Sequence, residues 1–113
     1  MYSFEMIYDE AEDVLEVTFD AVDENFSRSV ALSEEIVLHT DANLENGWAI
    51  TIYSYARLLE VGETDLHDLA GIDEPFRSKL LAVIAKEPIS RFLAITDSSA
   101  FRARVLAPRV SDL

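Results

Sequence analysis

YDEAEDVLEVTF, residues 8–19, holds five acids in twelve positions, and the fold turns on whether those acids hold a cation or shape a corner. The flanks answer. Upstream, Tyr2, Phe4, Met6 and Tyr8 alternate with Ser3 and Glu5; downstream, Leu15, Val17 and Phe19 alternate with Glu16 and Thr18. A period of two is that of a half-buried strand. Asp side chains shape tight turns by accepting hydrogen bonds from main-chain amides a residue or two ahead, so Asp9 and Asp13 are expected to form the corner of a β-hairpin. A calcium loop of the EF-hand kind needs a Gly at its bend and a closing bidentate Glu. The stretch DEAEDVLEV has no Gly and runs into a strand where such a loop would continue.

Outward from this hairpin, residues 20–29 form a polar connector, and strand signals resume at Val30 and Leu32, interrupted by Glu34 and Glu35. EIVLHTD (35–41) has the β-branched density of a strand, DANLENG (41–47) supplies turn residues, and WAITIYSY (48–55) alternates again. This is a second hairpin. The period then changes. In GIDEPFRSKLLAVIAKEP (71–88), Phe76, Leu80, Val83 and Ile84 fall at helical spacing, with Asp73 placed to cap, Pro75 in the first turn, Lys86 in the last and Pro88 as the stop. A shorter helical turn is expected from Thr64, capped by Asp65 and ended by Gly71. PISRFLAIT (88–96) fits a helix face through Ile89, Phe92 and Leu93, but the alternation of FRARVLAP (101–108) after the turn DSSA favours a strand pair.

The expected fold is therefore α+β and a single domain, 1–113. An antiparallel sheet from two successive hairpins fills an acidic part, 1–60; an amphipathic helix on one face and a final hairpin extending the sheet fill 61–113. At this length a chain buries roughly two-thirds of its unfolded surface and needs no staple. The absence of cysteine excludes disulfides, thiolate metal sites and a cysteine nucleophile. It fits a reducing cytoplasm, and the N-terminus MYSFEMIYDE has no signal-peptide pattern. The longest apolar run, Leu80 to Ala85, is six residues, where a bilayer needs about twenty. The expected location is cytoplasmic.

Charge is the sharpest compositional signal. Residues 1–60 hold 14 acids against Arg28 and Arg57, net -12, while residues 61–113 hold 8 acids against 7 bases, net -1, together the -13 of the chain. Such a field repels phosphate backbones, so nucleic acid is not an expected partner, and basic proteins are the easier ones.

Over residues 6–58 the pattern resembles the small bacterial domain-of-unknown-function family numbered 2283. The resemblance is carried by Tyr8, Asp9, Asp13, Leu15, Val17 and Phe19, by S-E-E-I-V-L-H-T-D, and by the Asn and Gly turn into W-A-I-T-I. Residues 61–113 lie outside it. It implies a compact antiparallel sheet without an established activity, and an acidic antitoxin-like or adaptor role; no catalytic residue comes with it.

Other chemistry finds little footing. His39 and His67 stand 28 residues apart, not at the close spacing usual for two zinc histidines. Ser98 and Ser99 lie outside any nucleophile elbow, and Gly47, Gly62 and Gly71 form no phosphate-binding loop. No metal, cofactor or catalytic residue is expected. A hydrolase using Asp9, Glu12 or Asp13 would need a pocket holding one carboxyl with a raised pKa.

Two features point to association. With Leu15, Val17, Phe19, Ile50 and Ile52 on the core side, the opposite face collects Ile7, Val14, Val37, Tyr53 and Tyr55, too apolar for a bare surface. A second copy, in a two-fold dimer, is the expected cover. The arginines 91, 102, 104 and 109 oppose the acidic half: Arg102 and Arg104 are expected to pair across the sheet with Glu5 or Glu16, the alternative being that the arginines of one copy meet the acids of another in an assembly that weakens with salt. The expected function is association without catalysis, first with itself. An acidic adaptor or antitoxin-like protein binding a basic protein is the second reading, and a hydrolase using the acids the third.

Overall fold

The computed structural model describes residues 5–19 and 27–107. Tyr2, Phe4, Arg109 and most of the polar connector lie outside the described residues. The chain is α+β with antiparallel sheets. β1 (Glu5–Asp9), β2 (Val14–Thr18), β3 (Ser27–Ala31), β4 (Ile36–Asp41) and β5 (Gly47–Tyr53) form a five-stranded sheet in the order β1-β2-β5-β4-β3. After it come α1 (Tyr55–Val61), β6 (Thr64–Asp65), α2 (His67–Ala70), α3 (Phe76–Ala85), a 3-10 turn (Ile89–Arg91), β7 (Leu93–Asp97) and β8 (Arg102–Val105). β6, β8 and β7 make a separate three-stranded sheet. No described helix is long and apolar enough to cross a membrane.

Register decides which side chains share a face, because residues opposite each other on paired strands point the same way. Met6, Val17, Ile50, Leu38 and Val30 form one row and Tyr8, Leu15, Ile52 and Ile36 the next, both on the core side. Leu15, Ile36, Leu38, Ile50 and Ile52 are fully buried there with Leu66, Leu69, Leu80, Ile84, Ile89 and Phe92. Truncating any of these to Ala costs on the order of 2–5 kcal/mol. The second half of the chain thus packs on one face of the large sheet.

The turns follow from short polar side chains. Asp9 Oδ1 accepts the N–H groups of Ala11 and Glu12 at 3.0 and 3.2 Å. Asp41 Oδ1 accepts those of Glu45 and Asn46 at 2.8 and 3.3 Å, and Asp97 Oδ1 those of Ser99 and Ala100 at 3.1 and 3.2 Å. Each carboxylate satisfies amides that the turn leaves without main-chain partners.

Several expectations are corrected. The final hairpin forms, as β7 and β8, but it pairs with β6 in its own sheet and does not extend the first one. Thr64 and Asp65 belong to that sheet instead of starting a helix; the helical turn begins at His67 and ends at Gly71. The strand read as 48–55 ends at Tyr53, and Tyr55 opens the helix α1. Of the four apolar residues assigned to one face of α3, Leu80, Val83 and Ile84 are buried and Phe76 is exposed. Glu74, not Asp73, supplies the side chain at its start, accepting the Ser78 N–H at 2.8 Å and the Ser78 hydroxyl at 2.6 Å. Arg102 pairs with Asp65 at 3.2 Å and Glu63 at 3.8 Å, its neighbours across the small sheet, and not with Glu5 or Glu16.

Candidate interaction face

The other side of the large sheet carries three rows. Glu5, Thr18, Ala49, His39 and Ser29 form the first, Ile7, Glu16, Thr51, Val37 and Ala31 the second, and Asp9, Val14 and Tyr53 the third. Ile7, Val14, Val37 and Tyr53 therefore do share this outer face. Ile7 is 56% exposed and Tyr53 45%, while Val14 and Val37 are half-buried among their neighbours. Tyr55 does not belong to it. As the first residue of α1 it is buried on the core side, where its hydroxyl donates to the Leu106 carbonyl at 3.3 Å and its ring meets that of Tyr8 edge-on.

β1 overhangs the core. All five of its residues are exposed, and Met6, Ile7 and Tyr8 form a consecutive run of exposed large side chains. Edge strands are protected by brevity, charged side chains, Pro or a bulge. EMIYD is short and carries Glu5 and Asp9, has no Lys or Pro, and keeps a continuous register with β2, so its edge discriminates by charge: it repels acids and admits bases.

The hairpin acids do structural work that sequence only half reveals. Asp13 has a left-handed backbone, φ 55°, which Asp tolerates better than most residues. Its Oδ1 accepts the Tyr8 hydroxyl at 2.6 Å and the Ala56 N–H at 2.9 Å, and its carbonyl accepts the Tyr55 N–H at 3.1 Å. One acid thus fixes the end of β1 and the first turn of α1 together. The Tyr8 bond, reinforced by main-chain N–H groups, holds the Asp13 carboxyl below the usual range. The same bond pushes the Tyr8 phenol up to about 12.

Sequence reading passed over the cluster at the far end of the face. β4 and β5 slip in register between His39 and Thr40, and Trp48 comes to the outer face beside His39, their ring centroids 5.5 Å apart. The indole N–H donates to the Thr40 carbonyl at 3.1 Å. His39 sits between two hydroxyls, Ser29 Oγ at 2.8 Å from Nδ1 and Thr51 Oγ1 at 3.0 Å from Nε2. Burial lowers its pKa, opposed by the nearby Glu16. Gly47 was the available signal, since a Gly inside a strand pattern often marks a bulge or a close backbone approach.

Two shallow hollows flank the Ile7–Glu16 pair. One, of about 200 Å³, is walled by Ile7, Glu16, His39, Trp48 and Thr51 among others; its neighbour, of about 230 Å³, is walled by Ile7, Asp9, Glu12, Val14 and Glu16. Among the described residues no lysine or arginine lines either hollow. Arg57, close to the Tyr53 end, is held by Glu35 at 3.2 Å. Among the described residues no group of three His, Asp or Glu side chains is placed to hold a metal ion, and His39 and His67 lie on different elements.

Among the described residues, the carboxyls displaced from their ordinary range all move down. Asp13, Glu74 and Asp97 do so mainly through hydroxyl hydrogen bonds, from Tyr8, Ser78 and Ser99; at Asp41 burial pushes upward but the amides of Glu45 and Asn46 outweigh it. That is the opposite of what a general acid requires. Compared with known proteins, the chain matches no family model, no curated protein and no solved structure.

Proposed function

We propose that this protein acts by association, using the outer face of its large sheet and the overhanging strand β1, and that its partner is a basic protein. The observation that carries this is the surface around Ile7. Exposed Ile7 and Tyr53 share the outer face with Glu5, Asp9 and Glu16, exposed Met6 and Tyr8 stand on the other side of β1, and among the described residues no lysine or arginine lines the two hollows beside Ile7. Lys and Arg side chains suit such a surface, since their aliphatic stems bury against apolar groups while the charged heads meet carboxylates. A second copy is less well suited, because it brings an equally acidic face and a further net charge of -13. The resemblance to the family numbered 2283 remains part of the proposal, supported by the YD turn between β1 and β2 and the SEE entry to β4. So does action in the cytoplasm, supported by the cysteine-free composition.

Calorimetric titration with a peptide of alternating lysine and valine, and with its glutamate–valine counterpart, tests the reading. Binding of the basic peptide alone, weakening as salt rises, is expected. In sedimentation at micromolar concentration the free protein should run as a monomer. A stable dimer would transfer the face to a second copy, and failure of the basic peptide to bind would remove the basic partner.

A further inference from the structure

We infer that the basic partner enters as an extended strand hydrogen-bonded along the edge of β1 away from β2, with Lys or Arg facing Glu5 and Asp9 and, midway between them on the same face, an apolar residue facing Ile7. The inference rests on the basic-partner reading above and specifies how that partner binds. β1 pairs with β2 on one side only, and among the described residues no strand lies on its other side. Among the described residues, the N–H and C=O groups on that side of β1 have no strand to pair with, the geometry that β-strand addition uses.

The side chains supply the code. Glu5, Ile7 and Asp9 point to the outer face and Met6 and Tyr8 to the other, and all five are exposed. A strand laid beside them places every second residue on the outer face about 5 Å from its opposite number. Two bases two residues either side of an apolar one then meet the acid, apolar, acid series of β1.

The same series selects against self-pairing. Two β1 strands paired antiparallel about Ile7 set Glu5 of each against Asp9 of the other; paired parallel in register, they set Glu5 against Glu5. Like charges directly opposite are destabilising. The opposite edge, SRSVA of β3, offers only Arg28 to match two acids.

The test uses a peptide of repeating lysine–serine–valine–serine, in which lysine and valine alternate along one face of a strand, a peptide of the same composition with its lysines and valines in separate blocks, and this alternating peptide N-methylated at every second residue. The alternating peptide should bind at least about tenfold more tightly than the block peptide, a difference of about 1.4 kcal/mol. One of the two N-methyl phasings should abolish that advantage, and the amides of Met6 to Tyr8 should gain hydrogen-exchange protection only with the unmethylated alternating peptide. Ile7→Lys, at an exposed site, should weaken binding without lowering the melting temperature. Equal affinity for the block peptide, with no protection in β1, would overturn strand addition and leave the basic-partner reading intact. No binding of either peptide would overturn both.

Discussion

Gly47→Ala is expected to destabilise the protein through one contact. A Cβ built on Gly47 would lie 2.5 Å from Ile89 Cγ1, 2.8 Å from Ile89 Cδ1 and 3.1 Å from Val83 Cγ1, where carbon atoms settle at about 3.5–4.0 Å. Ile89 is fully buried and Val83 nearly so, so neither has free space to retreat into. Overpacking of this kind costs about 1–3 kcal/mol, and the loss of unfolded-chain freedom on replacing Gly returns about 0.4–1 kcal/mol. A net loss of about 1–2 kcal/mol follows. Ile89→Ala should itself cost about 2–5 kcal/mol, but it removes both of the closest atoms. In the double variant Gly47→Ala, Ile89→Ala the new methyl group enters the vacated space, and the combined loss should fall short of the sum by about 1–3 kcal/mol. Urea unfolding of the four proteins, with unchanged m values, measures this. Additivity to within about 0.5 kcal/mol would refute the packing of β5 against the 3-10 turn.

Asp13→Ala should expose the α1 amides, read as faster hydrogen exchange at Ala56, whereas Asp13→Asn, which keeps an acceptor and tolerates the left-handed backbone, should protect them better. In Tyr8→Phe the Asp13 carboxyl loses the largest cause of its depression, and its NMR titration midpoint should rise toward 3.8. Lowered folded pKa values at Asp13, Asp41, Glu74 and Asp97 mean that the unfolded chain binds protons first. Their stabilisation is therefore present above the unfolded values of 3.8 to 4.5 and lost as pH falls through the folded ones. His39 has the same sign with a window opening below 6.5. Its NMR midpoint should lie below that value, and His39→Gln should flatten the uppermost part of the acid limb of stability against pH.

The parts of the fold legible in the sequence are those whose causes are local. β2, β4 and β5 announce themselves by alternation because one of their faces is buried, and the Asp9, Asp41 and Asp97 turns because a short carboxylate reaches its own neighbouring amides. α1 was not legible for the converse reason. Its first turn is held by Asp13, 43 residues away in sequence from Ala56, and its start continues the alternation of β5. β6 is two residues long and is a strand only because Ala103 and Arg102 lie opposite. Which sheet the final hairpin joins is likewise a matter of partner, and a period of two in the sequence says only that some sheet exists.

The candidate face was legible as a set and not as an arrangement. Alternation assigned Ile7, Val14, Val37 and Tyr53 to one side because parity survives along each strand; it failed at Tyr55, where the strand had ended, and at Trp48, where the slip opposite His39 and Thr40 shifts parity. Residue counting alone favoured a second copy as the cover, since an apolar face asks to be buried and a two-fold dimer is the commonest way to bury it. Register adds what counting lacks, namely which charges stand opposite which. Glu16 borders both hollows, and Glu5 and Asp9 bracket Ile7 on a strand that is at the sheet edge among the described residues. Burial of that surface by a copy would set carboxylates against carboxylates as they lose solvent, each unpaired one costing several kcal/mol. A partner with lysines or arginines in alternation removes that penalty with the same apolar contact. The choice between the two therefore rests on the spacing of three residues in β1 and not on the amount of apolar surface.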